Sequence, residues 1–398
     1  MKAEGSHAGP HVFVVAGEAS GDQLGFKLMQ ALRAAAPDVA ITGVGGAAMA
    51  REGLTSLFPL EDIAVMGIMP VLRRLPLLRA RIQQTAQAVI AAKPDVLVII
   101  DSPDFTHRVA RLARAALPSL PVVDYVSPSV WAWRPGRARK MRSHVDHVLA
   151  LLPFEPAAHQ RLGGPPCTYV GHPLIERSGD WRASAAEEAA RAAQPGTLLI
   201  LPGSRRSEIE RLLPDFCRTL ALVTAAVPGL HAVLPAVPQH EARIRAIIAQ
   251  FAVQPEIITG EAAKWAAFRQ ARAALAASGT VTLELALAKV PMVTAYRVSP
   301  PETLLRFMVT APSIILPNLV LGKNFIPEFI QRDATPERLS AALLPLLAEG
   351  EARAAQMRGF AEVEAQMVLT EAKTPSFEAA KLVLSSLKVQ SLPRASGR

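Results

Sequence analysis

The sequence predicts an α/β protein with two doubly wound parallel sheets. Short apolar runs alternate with longer helix-like segments along both halves of the chain. One such run, Asp95–Ile100, reads DVLVII, the continuous apolar pattern of a strand that helices cover on both faces. The chain has 398 residues, more than the roughly 250–300 at which a single core stops growing, so we expect two domains.

The elements follow one rhythm. In the first sheet the predicted strands are His11–Ala16, Asp95–Ile100 and Val145–Leu152, with an apolar strand at Val122 and a helix over Leu24–Ala35. In the second they are Leu198–Leu201, His231–Pro235, Glu256–Ile258, Ala273–Ala277 and Met292–Tyr296. We also expect a helix to about Thr224, helix throughout Pro336–Gln366, and a last helix over Phe377–Leu387. The break between the sheets should fall within 171–194, where GHP precedes a polar, alanine-rich stretch.

Composition indicates a globular protein, because half of the residues are apolar and only 19% are charged. Cys167 and Cys217 form no metal or redox motif and suit the core of a protein in a reducing compartment. The run Val12–Ala16 is too short for a signal peptide, and no apolar run reaches the roughly 18 residues of a membrane span. We therefore expect a cytoplasmic protein, either free or bound to a membrane surface.

The net charge of +9 includes two basic clusters. The first is Arg73, Arg74, Arg79 and Arg81 among leucines, and the second is Arg134, Arg137, Arg139, Lys140 and Arg142. Basic residues mixed with leucines fit an anionic membrane better than nucleic acid, for which no motif is present. The predicted membrane and acyl-chain patch is Met69, Leu72, Arg73, Arg74, Leu75 and Leu78. An amphipathic helix with a solvated basic face explains the first cluster equally well.

Ligands of doubly wound sheets bind beyond the carboxyl ends of the strands, so the loops there are candidate sites. The loop Gly17–Asp22 (GEASGD) follows the first strand, and Ser20 or Asp22 can cap the next helix, whereas Glu18 has no such duty. Asp101 directly ends a buried strand, so we expect it to be partly desolvated, a setting in which a carboxylate serves as a general base.

Two loops of the second half suit a nucleotide. The loop Leu201–Glu208 (LPGSRRSE) joins a strand to a helix through a Gly-Ser turn and two arginines, which predicts an anion site of backbone amides and guanidinium. A pair of surface arginines is the simpler alternative. In Ser278–Glu284 (SGTVTLE), the first amides can face phosphate while Glu284 accepts hydrogen bonds from a ribose diol.

The segment Val122–Arg134 (VVDYVSPSVWAWR) carries two of the four tryptophans in a stretch whose proline and serines disfavour helix. Such a loop either fills the edge of a core or shapes a ligand cleft. The chain shows no HExxH, P-loop, nucleophile elbow or Cys/His cluster, so the sequence predicts no metal and no cofactor. His172 and the pair His144 and His147 are interpreted as structural.

Two Rossmann-like domains, a nucleotide loop in the second and no metal motif suggest a GT-B glycosyltransferase. The motifs AGEASGD, IAVMGI, DSPDF, YVSPSVWAWR, LLPFE, VGHPL, LPGSRRSEI, SGTVTLELA, PMVTAYRV and LPNLVLG occur in this order. Together, over roughly residues 11–390, they resemble the lipid-A-disaccharide synthase family. The resemblance implies a metal-independent, inverting transfer of 2,3-diacylglucosamine from UDP-2,3-diacylglucosamine to the 6-hydroxyl of 2,3-diacylglucosamine 1-phosphate. The products would be the β-1',6 disaccharide 1-phosphate and UDP, made by a peripheral protein of the inner membrane.

The resemblance also assigns roles. Asp101 matches the family's general base, and Arg205 matches the arginine that stabilises the departing diphosphate. The implied nucleotide-sugar residues are Ser204, Ser278, Gly279, Thr280, Glu284 and Asn318. The implied acceptor-side residues are Glu18, Ser20, Gly21, Ser127, Trp131 and Trp133.

The implied domains are an acceptor-binding Rossmann-like domain, a UDP-sugar-binding one facing it across a cleft, and a C-terminal helix on the first domain with a frayed tail. Their predicted ranges are 1–172, 173–365 and 366–398. The sequence leaves the oligomeric state open.

Two alternatives remain at this point. One is another UDP-sugar enzyme on the same scaffold, a UDP-sugar 2-epimerase or the peptidoglycan GlcNAc transferase, although neither accounts for YVSPSVWAWR. The other is a non-catalytic basic protein that binds a membrane or nucleic acid, which a steep salt dependence of oligonucleotide binding would support.

Overall fold

The structure is a computed structural model that describes residues 9–64, 74–192, 195–298, 311–369 and 373–388. Contacts divide it into two compact units. Unit 1 comprises the chain up to Glu176 together with the part from Leu369 onward, and unit 2 is Arg177–Val368. Met69, Leu72 and Arg73 of the predicted membrane patch lie outside the described residues.

Unit 1 is built on a six-stranded, wholly parallel sheet in the order β2-β1-β3-β4-β5-β6. Its elements are β1 (His11–Ala16), α1 (Ala19–Ala35), β2 (Ala40–Val44), α2 (Ala47–Arg51), α3 (Leu75–Ala92), β3 (Val96–Ile100), α4 (Pro103–Ala116), β4 (Val122–Tyr125), α5 (Gly136–Met141), β5 (His147–Ala150), α6 (Glu155–Leu162), β6 (Cys167–Tyr169) and, much later in the chain, α16 (Pro375–Lys388).

The core of unit 1 lies on both faces of this sheet. Alternate residues of each strand enter opposite apolar clusters, so Val12 and Val14 lie on one side and Phe13 and Val15 on the other. All five residues of β3 are therefore fully buried, as its apolar sequence predicts. The late helix α16 packs on α1 and completes one of the two clusters.

Unit 2 contains a second six-stranded parallel sheet, in the order β12-β11-β10-β7-β8-β9. Its elements are α7 (Ser178–Trp181), α8 (Ala185–Ala192), β7 (Thr197–Leu201), α9 (Arg206–Ala226), β8 (His231–Ala236), α10 (Glu241–Ile248), β9 (Glu256–Thr259), α11 (Glu261–Gln270), β10 (Ala271–Ala277), α12 (Thr280–Leu287), β11 (Met292–Tyr296), α13 (Leu316–Leu321), β12 (Glu328–Ile330), α14 (Pro336–Leu347) and α15 (Glu351–Met367).

The two parallel sheets confirm the predicted α/β class. Two details of the sequence prediction are wrong. It omitted β2, β6 and β12, which are three of the four edge strands. It also drew one helix over Pro336–Gln366, whereas the chain breaks between Leu347 and Glu351 to form α14 and α15. None of the helices in the described ranges is both long and apolar enough to cross a membrane.

Candidate active site

Each sheet reverses its strand order at one point, and several of the predicted site residues lie on the loops there. In unit 1 the reversal lies between β1 and β3, so the loops after these strands, which begin at Gly17 and Asp101, are neighbours. In unit 2 it lies between β10 and β7, and their loops begin at Ser278 and Pro202. Chains leaving such adjacent strands run to opposite faces of the sheet and leave a crevice in which ligands bind.

Asp101 stands at the reversal point of unit 1, half-buried at the end of β3. Its Oδ2 accepts a hydrogen bond of 3.0 Å from Ser20 Oγ, and its Oδ1 accepts one of 2.7 Å from the Ser102 amide. The Thr106 hydroxyl donates to the Asp101 carbonyl at 2.8 Å. The carboxylate is thus held in one orientation by the first turn of α1 and by the residue that precedes α4.

The backbone around Asp101 is held in the left-handed region, where residues with side chains are uncommon. The φ angles are 58° at Asp101 and 44° at Ser102, and after β4 the φ of Val126 is 95°. Such conformations cost of order 1–3 kcal/mol each and persist where the surroundings impose them, often at functional sites. Gly17 makes the arrangement feasible, since a Cβ there would lie 2.2 Å from that of Ser102.

The loop that follows β4 and carries Trp131 and Trp133, called the tryptophan loop from here on, is anchored by a buried polar network. Trp131 Nε1 donates to Glu155 Oε1 at 3.1 Å, and the other carboxylate oxygen accepts from the amides of Leu151 and Leu152. Burial raises the pKa of Glu155 to about 7 despite these three hydrogen bonds, which favour the charged form. Trp133 is half-buried beside Arg134, whose guanidinium lies 5.1 Å from the centre of its ring.

Two of the residues predicted on the acceptor side, Ser127 and Gly21, have internal roles, and Glu18 stays a prediction. The Ser127 hydroxyl is buried and lies 2.9 Å from His159 Nε2, so its predicted contact with the acceptor is corrected to support of the loop. Gly21 is buried where α1 crosses the end of β3, with Ile100 O 3.1 Å from the position of a Cβ. Glu18 precedes α1, is half-buried and makes no side-chain cap, as its predicted freedom from capping requires.

Asp22 does cap a helix, but not the one that the sequence suggested. Its carboxylate accepts hydrogen bonds from the amides of Gly46, Ala48 and Met49, at 2.7 to 3.1 Å. These amides form the start of α2, so Asp22 ties α1 to α2. The Gly46 amide after β2 is thereby bonded to a carboxylate of the protein itself.

In unit 2 a cavity of about 670 Å³ opens at the reversal point. It brings together most of the predicted nucleotide-sugar residues, and its lining includes Ser204, Arg205, Ser278, Gly279, Thr280 and Glu284. Gly260 and Gly279 also line it, and a Cβ at either would meet no other atom within 4 Å. The backbone at these two positions is therefore open to close approach by a ligand.

The loop after β7 differs from the predicted phosphate cradle. Glu208 Oε2 accepts from the amides of Ser204 and Arg205 at 3.2 and 3.3 Å, so the amides expected to bind an anion already serve a carboxylate. Glu208 Oε1 also accepts from Arg205 Nη1 at 3.0 Å. Arg205 is nevertheless well exposed and lines the cavity, whereas Arg206 pairs with Glu210 outside it. Of the groups predicted to bind an anion in this loop, the Arg205 guanidinium remains the predicted ligand.

The start of α12 offers uncapped backbone amides, whereas those of the loop after β7 are bonded to Glu208. Gly279 precedes this helix with φ of 155°, and no described side chain caps it. Glu284, on the second turn, pairs through Oε2 with Lys264 Nζ at 2.6 Å. Lys264 also lines the cavity and lies over the Trp265 ring, 4.8 Å from its centre.

Asn318 lies outside the lining of this cavity, contrary to its predicted contact with the nucleotide. It is 1% exposed, and its amide nitrogen donates to Ile326 O and to Glu328 Oε1. Glu328 in turn accepts from the Ile314 amide, and the Ile314 carbonyl accepts from Ser278 Oγ at 2.7 Å. Asn318 therefore supports the loop that carries Ser278.

Sequence reasoning missed Lys264, Glu208, Glu155 and His159. Glu208 is the third residue of α9, and its spacing from Arg205 is that of a capping box, so a signal was present. The other three contact partners at least 20 residues away in sequence, which no local pattern reveals. His144 likewise pairs with His107 rather than with its neighbour His147. In the ranges that the structure describes, no group of three or more His, Cys, Asp or Glu side chains could hold a metal ion.

Two Rossmann-like units with polar loops at both reversal points define the GT-B class of nucleotide-sugar enzymes. Solved structures of that class are similar in fold. The UDP-GlcNAc 2-epimerase from Neisseria meningitidis, bound to UDP-GlcNAc, matches with a TM-score of 0.57 at 11% identity, covering 96% of this chain and 100% of that one. The MurG protein of Acinetobacter baumannii matches with a TM-score of 0.57 at 14% identity, covering 94% and 99%. Identities this low show the fold alone.

The family is shown by sequence. The family model described as lipid-A-disaccharide synthetase matches residues 12–381. The lipid-A-disaccharide synthase of Nitrobacter hamburgensis is 54% identical over 378 residues, covering 94% of this chain and 95% of its own. The chain belongs to the lipid-A-disaccharide synthase family, which confirms the predicted family and the prediction of a glycosyltransferase.

Proposed function

We propose that this protein transfers 2,3-diacylglucosamine from UDP-2,3-diacylglucosamine to the 6-hydroxyl of 2,3-diacylglucosamine 1-phosphate, with inversion at the anomeric carbon. Membership of the family carries the overall reaction. The observation that carries the assignment of residues is the placement of Asp101 at one reversal point and of Arg205, Glu284 and the start of α12 at the other.

Asp101 acts as the general base in this proposal. The acceptor hydroxyl becomes acidic only as its oxygen bonds to the anomeric carbon, so a fixed carboxylate takes the proton during that step. The hydrogen bond from Ser20 and the strained backbone keep the carboxylate oriented without a substrate to hold it. Glu18, Ser20, Trp131 and Trp133 lie on or near the same loops and are proposed to contact the acceptor.

The cavity of unit 2 holds UDP in this proposal. The Arg205 guanidinium and the amides at the start of α12 stabilise the charge that develops on the departing diphosphate. Glu284 Oε1 carries no hydrogen bond within the described structure and accepts from the ribose diol, while Oε2 stays on Lys264. These groups supply positive charge without a metal, so we expect activity to survive EDTA.

The test of the overall reaction is a product assay with matched donors. Purified protein is incubated with 2,3-diacylglucosamine 1-phosphate and either UDP-2,3-diacylglucosamine or UDP-GlcNAc, and the lipids are separated and analysed by mass spectrometry. We expect a tetraacyl disaccharide 1-phosphate and stoichiometric UDP with the acylated donor only. Epimerised UDP-GlcNAc, or transfer of GlcNAc, would instead support the alternatives on the same scaffold.

We further propose that the protein draws these substrates from an anionic membrane surface. The described end of the predicted patch supports a smaller contact than the sequence suggested. Arg81 is paired with Asp62 and Leu78 packs against the core, whereas Leu75 is half-buried and Arg79 is exposed. Arg74 is also exposed and donates to the Glu61 carbonyl at 3.1 Å.

A vesicle assay tests this attachment. The protein should bind vesicles that contain phosphatidylglycerol, dissociate from them at high salt, and show no binding to neutral vesicles. Each basic residue near an anionic surface contributes about 1 kcal/mol to the binding free energy, and salt screens this contribution. Leu75→Ser should reduce activity on vesicle-embedded substrate more than on detergent-dispersed substrate. Equal losses in both formats would remove Leu75 from the membrane contact.

A further inference from the structure

A second cavity, of about 400 Å³, lies in unit 1 between α4 and α5. Five cationic side chains and one carboxylate line it. They are Arg108, Arg111, Arg134, Arg137 and Lys140, with Asp104 as the carboxylate. Arg137 donates to Asp104 at 2.7 Å, and no described carboxylate lies within salt-bridge distance of the other four cations. The five cations and one carboxylate therefore give the lining of this cavity a net charge of about +4.

The cations are placed by helical spacing. Asp104, His107, Arg108 and Arg111 occupy positions i, i+3, i+4 and i+7 of α4, and Arg137 and Lys140 are three residues apart on α5, so each set shares one face of its helix. Both helices begin close to the site loops, because α4 follows Asp101 and α5 follows the tryptophan loop. The Cα–Cβ bonds of a helix tilt toward its N-terminus, which for both helices is the end next to those loops.

Two buried histidines, His107 and His144, line the floor of the cavity. His107 Nδ1 lies 3.0 Å from His144 Nε2, and His107 Nε2 lies 3.1 Å from the buried Asp124 carboxylate. The pKa of His144 is lowered to about 4 by burial and by the neighbouring His107, Arg111 and Arg114. The contact between His107 and His144 joins α4 to the segment that follows α5.

The cavity also lies close in sequence and in space to Asp101, the proposed base. Pro103 lines the cavity and follows Asp101 by two residues, so their Cα atoms are at most about 7.6 Å apart, at 3.8 Å per residue. In the proposed acceptor, one sugar ring separates the 6-hydroxyl from the phosphate on the anomeric carbon.

We infer that this cavity binds the phosphate monoester of the acceptor, with the 6-hydroxyl of the same sugar directed toward Asp101. The inference rests on the proposed function. Several guanidinium and ammonium groups around one pocket match a dianionic phosphate, to which they donate charge-assisted hydrogen bonds. The repulsion among the four unpaired cations is relieved when the phosphate enters. The phosphate also sets the orientation of the ring, so that only the hydroxyl at its far end reaches the base.

The test is the double variant Arg108→Gln/Lys140→Gln, assayed in neutral detergent micelles so that no anionic surface is present. Both residues are exposed and lack carboxylate partners among the described residues, so their removal orphans no charge. We expect KM for the acceptor to rise roughly 10- to 100-fold and KM for the UDP-sugar donor to stay unchanged. For an acceptor analogue without the 1-phosphate, variant and wild type should be equally poor.

The control is Arg139→Gln/Arg142→Gln, which removes the same charge from exposed positions outside the cavity. Its acceptor KM should match the wild type, and equal rises in both double variants would overturn the inference in favour of a long-range charge effect. An anionic lipid headgroup is the other source of such a phosphate. If only the cavity variant binds anionic vesicles more weakly, while its acceptor KM in neutral micelles is unchanged, the ligand of the cavity is the lipid headgroup. That result would overturn the assignment to the acceptor.

Direct binding separates this inference from the proposed function. Calorimetry with glucosamine 1-phosphate and with glucosamine needs no turnover, so it remains informative if the wild type fails the product assay. A preference for the phosphorylated sugar that only the cavity variant loses supports the site. Equal binding of both sugars by the wild type would overturn it.

Discussion

The two units shape their site loops by different backbone means. In unit 1, positive φ angles at the ends of β3 and β4 fall on Asp101, Ser102 and Val126, all of which carry side chains. In the cavity of unit 2, they fall on glycines, at Gly203, Gly260 and Gly279. The first arrangement costs conformational free energy that the second avoids.

Under the proposed function, the difference follows from which part of each residue is needed. A general base must present its own carboxylate, so glycine cannot replace Asp101 however strained its backbone is. A nucleotide site presents backbone amides and requires the ligand to approach the main chain closely, which a Cβ would hinder. We therefore expect substitutions in unit 1 to change turnover, and those in unit 2 to change affinity for UDP.

Asp101→Asn should give the largest effect. Asn tolerates the left-handed conformation, its carbonyl oxygen can still accept from the Ser102 amide, and its NH2 group can donate to the Ser20 hydroxyl, but it cannot take a proton. We expect kcat to fall by about 10²- to 10⁴-fold with UDP affinity unchanged. Asp95→Asn, at the amino end of the same strand, is the matched control and should retain activity. Near-normal turnover of the Asp101 variant would remove this residue from the role of base.

Glu155→Gln should change how stability depends on pH. The pKa of Glu155 is raised to about 7 in the folded protein from 4.5, so the folded state binds the extra proton between these values. Stability from this group is present below about pH 4.5 and is lost as the pH rises to about 7, by about 3 kcal/mol at most. Urea unfolding of wild type and variant, followed by tryptophan fluorescence, should show a difference that changes across this window.

The comparison with the variant is needed because His144 acts in the opposite direction. Its lowered pKa of about 4 means that stability rises with pH up to about 6.5. Both proteins contain His144, so its contribution cancels in the difference. A difference that is constant from pH 4.5 to 7 would show that Glu155 does not titrate in this window.

Glu284→Gln should give a smaller effect, confined to the nucleotide. The loss of one charge-assisted hydrogen bond to the ribose should weaken UDP binding by about 10-fold in calorimetry, while the acceptor KM stays the same. Glu210→Gln is the control, because Glu210 also pairs with basic residues of unit 2 but does not line the cavity. Unchanged UDP affinity in the Glu284 variant would show that this carboxylate serves only to pair with Lys264.

The central strands could be predicted from the sequence because their burial dictates their composition. β1 and β11 match the predicted bounds, and β3 differs by one residue. The omitted β2, β6 and β12 are short edge strands with half-buried residues, so their sequences lack the continuous apolar pattern. That Ser278, Gly279, Thr280 and Glu284 lie together was also predictable, since all four fall within one stretch of seven residues at a strand end.

The internal partners could not be predicted. Whether a polar side chain meets a ligand or another part of the protein depends on contacts distant in sequence. Ser127 and Asn318 looked like ligand contacts, yet one is bonded to His159 and the other to Glu328. The basic cluster after the tryptophan loop was visible as a charge pattern. Its union with Arg108 and Arg111 depends on how α4 and α5 pack.

The return of α16 to unit 1 has a consequence for synthesis of the chain. Ala379, Ala380 and Val383 are fully buried in the same cluster as Leu28 and Leu32 of α1. The ribosome makes all of unit 2, about 190 residues, before it makes this helix, which takes roughly 10–40 s at about 5–20 residues per second. During that interval the apolar face of α1 that α16 later covers is exposed on the nascent chain. A chaperone that shields such surfaces would have its longest opportunity there, and the first unit to be translated is the last to be completed.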